Sequence, residues 1–381
     1  MVTDKRYYFY KNPFYKVYAT VEDGLVRMHT SGVASRAIKP LTSEMLDLFE
    51  GQRPALVRGE ELVFSTWMPP IPSKAFDRLV SSQMGYIRGK MVPEQVTISI
   101  TEDCPNNCIH CALPDTKNRA SLSAEDVKST IDQVLDMGST FIVFDGGEPL
   151  VYEGLEELIS YVDGDLATTG MFTSGVGLTK ERAISLKEAG LDMLSISLDS
   201  STEKGHDTMR GRVGVFKDAI GAVKNSLDAG LLVNIYVVIS PGNIDELDDF
   251  YKIATDLGVH EISFFEIVPT GRWMNRLDEM MTADDHKKFD DFVKRTESMD
   301  GPKVFAIPHV LKKMGCFAGR KWLHITPEGD IFPCSCLPLS FGNIHEDKLS
   351  DVWRKIRKDS TYNGGTCLMR DSDFRKLHKF D

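Results

Sequence analysis

The chain has 381 residues, 42% of them apolar, and a net charge of −11 from 45 Lys and Arg against 56 Asp and Glu. That is enough apolar material for a substantial core, divided over two or three domains. There is no apolar run of eighteen residues, no charged-then-apolar leader in the opening MVTDKRYYFY, and no Lys/Arg stripe dense enough to track phosphates. A transmembrane segment, a secretory route and nucleic acid as the main partner are therefore set aside, and a soluble cytoplasmic protein is expected.

Residues 1–92 carry short alternating stretches around Tyr7–Tyr18 and Leu25–His29, a helical pattern near Ser43–Glu50, and a Pro-rich Trp67–Pro72 that leads into another helix. They read as a small amino-terminal α+β domain and linker. From residue 93 to about 300, β-branched runs alternate with amphipathic stretches. The strand candidates are Val96–Thr101, Phe141–Phe144, Ala167–Thr173, Met193–Leu198, Val233–Ile239 and Ile262–Val268. Ser123 with Asp126, Asn243 with Glu246, and Thr282 with Asp285 are spaced like capping boxes, and Gly138, Gly190, Gly230 and Gly258 sit where helices end. Six βα units predict an α/β fold, a partial (β/α)6 barrel left open on one side, with ligands gathered at the carboxyl ends of its strands. Residues 301–381 form a third, cysteine-bearing segment.

The seven cysteines partition sharply. Cys104, Cys108 and Cys111 fall within eight residues after the first barrel strand, and Cys316, Cys334, Cys336 and Cys367 lie in the last 66. A Cys-x3-Cys-x2-Cys loop offers three soft thiolates and no fourth, which leaves one iron of an iron–sulfur cluster open to a ligand. Zinc competes, but a fourth ligand from His110 is strained by its position beside Cys111. Gly146-Gly147-Glu148-Pro149 ends the second strand, 35 residues beyond Cys111, as a turn whose backbone and Glu148 can face an amine. Ser197 and Asp199, two residues apart, are expected on one strand face as hydroxyl and carboxylate partners for a ribose. In the last segment a hairpin turning at Glu328–Gly329 would bring Cys316 and Cys334 together.

The cysteine loop, followed by the Gly-Gly-Glu-Pro turn, resembles the radical S-adenosylmethionine (SAM) superfamily. That resemblance implies a [4Fe-4S] cluster on Cys104, Cys108 and Cys111 that chelates SAM, with His110 near SAM and Gly146–Pro149 at its amino group. It further implies Ser197 and Asp199 beside the ribose, and Arg210 of the HDTMRG stretch at the SAM carboxylate. Val237 and Val238 would pack on adenine, and Pro269–Arg272 would contact adenosine or substrate. The pattern from Cys316 onward resembles the SPASM or shorter twitch extension but lacks its dense later cysteine run, so one auxiliary [4Fe-4S] cluster is favoured over two. Cys316, Cys334 and Cys367 are its natural trio. Cys336 is a fourth ligand or a bystander, and the arithmetic of three plus four favours ligation.

The reaction implied is reductive cleavage of SAM to a 5′-deoxyadenosyl radical, hydrogen abstraction from an unactivated carbon, and oxidative bond formation on a peptide, lipid or tetrapyrrole. A flavodoxin or ferredoxin would supply the electron. Residues 1–92 faintly resemble the leader-peptide-binding domains of peptide-modifying relatives, though a cap on the barrel is the plainer reading. The ending Lys379-Phe380-Asp381 lacks the paired glycines of the molybdenum-cofactor cyclases. Trp67–Pro70 and Met280–Met281 are candidates for an apolar entrance. The competing class is a non-catalytic zinc or iron–sulfur scaffold that binds a partner.

Overall fold

The computed structural model describes residues 5–35, 46–87, 89–113 and 119–380. Its first part is an antiparallel sheet of β1 (Tyr7–Lys11), β2 (Lys16–Glu22) and β3 (Leu25–Ser31), in that order, followed by the hairpin β4 (Leu56–Arg58) and β5 (Glu61–Val63) and the helix Lys74–Ile87. Alternation supplies its core: Tyr7, Phe9, Val17 and Ala19 point inward and meet Leu62, Phe64, Ile71 and Phe76. Of the helix expected near Ser43–Glu50, residues 43–45 lie outside the described residues.

The six expected barrel strands are all present, as β6 (Gln95–Thr101), β7 (Phe141–Gly146), β8 (Thr168–Thr173), β9 (Met193–Ser197), β10 (Leu232–Ile239) and β11 (Glu261–Glu266). The sheet continues past them. β12 (Lys303–Ala306) pairs in parallel with β11, while β13 (Trp322–Ile325) pairs in parallel with β6 and carries the antiparallel β14 (Ile331–Phe332). The order is β12-β11-β10-β9-β8-β7-β6-β13-β14, open between its two ends. Residues 301–381, read from sequence as an appended segment, thus contribute strands to both edges of the barrel sheet.

Two-residue periodicity sorts the strands into an outer and an inner face. Val96, Ile98, Ile100, Ile142, Phe144, Leu194, Ile196, Val233, Ile235 and Val237 join the core shared with the surrounding helices. Their neighbours, among them Ser99, Asp145, Ser197, Tyr236 and Ser263, occupy the opposite face, so polar groups collect inside the barrel. Helices start where capping chemistry allows: Ser123 accepts from Asp126 N–H, and Thr282 with Asp285 forms a complete capping box. Asn243 does not cap. Its amide instead ties Ser240 N–H, Val238 O and Asp199 O together behind the barrel mouth.

A buried carboxylate and a buried lysine on neighbouring strands each bind the first part of the chain to the sheet. Glu261 and Lys303 are register partners on β11 and β12. The Glu261 carboxylate accepts from Ser65 Oγ at 3.2 Å and from Thr66 Oγ1 at 2.7 Å. Lys303 Nζ donates to Arg53 O at 2.8 Å and stands 4.0 Å over the Phe64 ring. Burial pushes Lys303 down to about 8 against the opposing pull of Glu261. Glu261→Ala leaves the buried lysine without its opposite charge and Ser65 and Thr66 without their acceptor, and is expected to cost about 3–5 kcal/mol, read as a fall in the urea midpoint; adding Lys303→Met should recover part of the loss.

Candidate functional site

The loop that follows β6 has little freedom. Gly147 N–H donates to Thr101 O at 2.6 Å and Glu148 N–H to Asp103 O at 2.8 Å. On the other side, Asn107 and Ile109 N–H groups donate to Arg210 O and Met209 O, and Arg272 N–H donates to Cys111 O at 2.9 Å. Side chains complete the frame: Arg119 reaches Cys104 O at 2.9 Å, and Arg272 reaches Cys108 O at 3.1 Å and the Asn107 side chain. Three glycines make these approaches possible. A Cβ at Gly147 would overlap the Asp103 carbonyl, one at Gly211 the Asn107 carbonyl, and one at Gly271 the Cys111 carbonyl. The cysteine loop thus requires Gly147, and the Thr101 carbonyl requires Gly146 in the same way, while both glycines also line the cavity at the barrel mouth.

The loop closes one wall of a cavity of about 300 Å³ at the barrel mouth. The structure brings Cys104, Cys108, Cys111, His110, Gly146, Gly147, Ser197 and Arg210 to this cavity, together with Val238, Thr270, Arg272 and, on the far side, Cys336. Glu148, Pro149, Val237 and Asp199 stand outside its lining, as do Pro269 and Gly271. Glu148 is buried and its carboxylate accepts from Thr173 Oγ1, Ser174 N–H and Ser174 Oγ at 2.5–2.8 Å, so it brackets β7 to the end of β8 instead of facing a ligand amine. Pro149 is buried as the first residue of a helical turn, Pro149–Val151. Val237 points into the outer core, and its neighbour Val238 faces the cavity. Asp199 lies beyond the end of β9, fully buried, with its carboxylate against Arg210.

That position sets the charges of the mouth. Arg210 pairs with Asp199 at 2.6 Å and reaches Cys108 Sγ at 3.8 Å. His110 Nε2 lies 3.4 Å from the same carboxylate. Burial raises the Asp199 carboxyl, but Arg210 and the two histidines His110 and His206 more than offset it and hold it below the usual range. Burial pushes the Cys104 thiol up to about 11 and raises Cys108 despite Arg210. Buried thiols of this kind stay protonated unless a metal centre takes their sulfurs. His110 Nδ1 has no partner among the described residues. A thiol trio with an arginine below it and an unpartnered ring nitrogen beside it fits an iron–sulfur cluster with a polar ligand. Among the described residues no three His, Cys, Asp or Glu side chains converge tightly enough for a single metal ion.

The later cysteines form a second group. Gly319 N–H donates to Pro333 O and Cys316 N–H to Gly365 O, which draws the three cysteine-bearing segments together, and the β13–β14 hairpin turns at Gly329 as expected. Burial raises Cys316, and raises Cys367 to about 12, with Cys334 adding to both shifts. Cys336 N–H approaches Cys334 Sγ at 3.5 Å, and the Cys336 side chain reaches the barrel cavity. Of the proposed apolar entrance, Trp67 lines a smaller adjoining cavity, whereas Met281 is core. Sequence reasoning missed the role of Asp145, which faces both cavities; the signal available was a lone carboxylate at an inward position of the apolar run Phe141–Phe144.

An open parallel barrel whose mouth and rim each carry a buried thiol group has the architecture of an iron–sulfur enzyme. The chain belongs to the radical SAM superfamily: that family matches residues 98–254, and the SPASM iron–sulfur cluster-binding domain matches residues 316–375. It is 30% identical to a PqqA peptide cyclase of Streptomyces rochei, over 73% of this chain and 80% of that one. It is 28% identical to an AdoMet-dependent heme synthase of Methanosarcina barkeri, over 72% of this chain and 88% of that one. Its fold is similar to that of Streptococcus suis SuiB bound to precursor peptide SuiA, with a TM-score of 0.58 at 14% identity, over 93% of this chain and 88% of that one. The chain is thus a radical SAM enzyme with a four-iron cluster bound with SAM and a SPASM extension for auxiliary iron–sulfur chemistry. No helix among the described residues is long and apolar enough to cross a membrane.

The glycine frame gives a direct test. Gly271→Ala should displace the cysteine loop and lower bound iron by about four per chain. Gly164→Ala, where a Cβ meets nothing within 4 Å, should leave iron unchanged in the same anaerobic iron and sulfide assay.

Proposed function

We propose that this enzyme holds a peptide substrate in the cavity between the three-cysteine loop and Cys336, removes a hydrogen from an unactivated carbon, and completes an oxidative bond formation. The observation that carries the reading is that one cavity is lined by Cys104, Cys108 and Cys111 on one wall and by Cys336 on the other. The cluster and SAM together would supply a 5′-deoxyadenosyl radical.

The chain's own part is binding, orientation and exclusion of water. The Gly146–Gly147 backbone and the side chains of Ser197, Thr270 and Arg210 line the space for the polar parts of SAM, with Val238 against adenine. Asp199 serves by holding Arg210 in place. Phe172, Tyr236 and Phe265 keep the far end of the cavity dry. Cys316, Cys334 and Cys367, with Cys336 towards the substrate, would hold the auxiliary centre that accepts the electron left on the product. A cytoplasmic flavodoxin or ferredoxin would deliver the initiating electron, and residues 1–92, 93–300 and 301–381 would be the three domains.

A peptide is supported by the peptide-cyclase relative and by a fold likeness to SuiB that takes in 93% of this chain. A tetrapyrrole is the second reading, favoured by the heme-synthase relative. Protein with both clusters loaded, mixed with SAM and dithionite, is expected to form 5′-deoxyadenosine. Cys104→Ala should form none, and Cys316→Ala should keep some uncoupled cleavage while losing product. Absence of 5′-deoxyadenosine from the loaded wild type overturns the reading, and deuterium transfer into it from a labelled tetrapyrrole but from no peptide selects the second.

A further inference from the structure

Behind the main cavity lies a smaller one of about 80 Å³ at the seam where the barrel sheet is open, between Ile307 after β12 and Trp322 and Leu323 of β13. The two cavities share Asp145, Phe172, Tyr236, Phe265 and Cys336, so a group held in the smaller one extends from the larger. Trp67, from the segment before the barrel, closes the back, with its indole N–H donating to Ser263 Oγ at 3.0 Å.

The rings form one contiguous packed wall. Trp67 lies 5.8 Å from Phe172 and 6.1 Å from Tyr236, centre to centre, while Tyr236 lies 4.9 Å from Phe172 and 6.2 Å from Phe265. Asp145 is the single charged side chain among the described residues that line this cavity. One of its oxygens accepts from Ser99 Oγ at 2.5 Å, and among the described residues no Lys, Arg or His pairs with it. The arginines of the larger cavity line the other chamber and not this one.

We propose that this smaller cavity is a cation pocket for a lysine or arginine side chain of the substrate, with Asp145 as its counter-charge and the aromatic wall along its apolar stem. The assignment rests on the peptide reading above. A half-buried carboxylate without a counter-ion is favoured by a ligand cation, and the aromatic side chains of Trp67, Tyr236 and Phe172 add attraction for the same charge. An anionic group would meet an unscreened carboxylate instead. The space is smaller than the main cavity and lies against Cys334 and Cys336, so the bound residue would be held beside the auxiliary centre. Burial also pushes the Asp145 carboxyl up to about 7, the condition of a group still lacking its partner.

The test is calorimetric titration of the anaerobic holoenzyme, with SAM bound, by three capped tripeptides: acetyl-Gly-Lys-Gly-amide, its norleucine counterpart of nearly equal shape, and its glutamate counterpart. The lysine peptide is expected to bind about tenfold tighter than the norleucine peptide, and Asp145→Asn should abolish that preference. Phe172→Leu should reduce it, and this variant carries the test should Asp145→Asn fail to fold. Equal binding of the lysine and norleucine peptides, tighter binding of the glutamate peptide, no binding of any of them, or a preference that survives Asp145→Asn overturns the assignment. Formation of 5′-deoxyadenosine by the same wild-type preparation reports separately on the radical chemistry, so the pocket can fail while the proposed function stands.

Discussion

The site depends on the way a short cysteine loop is pressed against neighbouring backbone. Its carbonyls at Asp103, Asn107 and Cys111 lie where three glycines, one each from the segments after β7, β9 and β11, have no side chain. The loop's amides and carbonyls are taken up by Arg210, Arg272, Arg119 and the Glu148 amide. A loop held by its Asn107 and Ile109 amides and its Asp103, Cys104, Cys108 and Cys111 carbonyls has less conformational freedom to lose when its thiols take up a cluster. Three separate strand ends therefore preorganise one ligand set, which is why the fold and the chemistry cannot be varied independently.

Charge is arranged with the same economy. One buried carboxylate, Asp199, is compensated by Arg210 and faced by His110, and Asn243 and His206 hold its backbone. Arg210 in turn brings positive charge to Cys108, where thiolate character is needed for a metal centre. Asp145 is the opposite case, since one of its oxygens accepts from Ser99 and among the described residues no Lys, Arg or His pairs with it. One carboxylate is paired internally and positions protein; the other faces empty space and positions a ligand.

Much of this was legible in the sequence. The six barrel strands emerge in place because β-branched runs bounded by helix caps and glycines leave little choice of element, and the spacing of Cys104, Cys108 and Cys111 ahead of Gly146–Gly147 identifies the chemistry. What remained hidden involves facing direction and distant pairing. Val237 and Val238 are equally apolar, and only the register of β10 decides which meets the cavity. Glu148 and Asp199 carry the right functional group but are satisfied by Thr173, Ser174 and Arg210, contacts made across neighbouring strands and loops. Likewise β12 and β13 join the barrel edges through parallel pairings, with β13 more than two hundred residues from its partner β6, which no local pattern encodes.

The central claim is that the framed loop grips a cluster with three sulfurs and leaves one iron for SAM. Electron paramagnetic resonance of anaerobic, dithionite-reduced protein, recorded with and without SAM, tests it most directly. The account predicts that SAM changes the g-values of the signal lost in Cys104→Ala, while the signal tied to Cys316 is unmoved. A barrel-cluster spectrum indifferent to saturating SAM would contradict it.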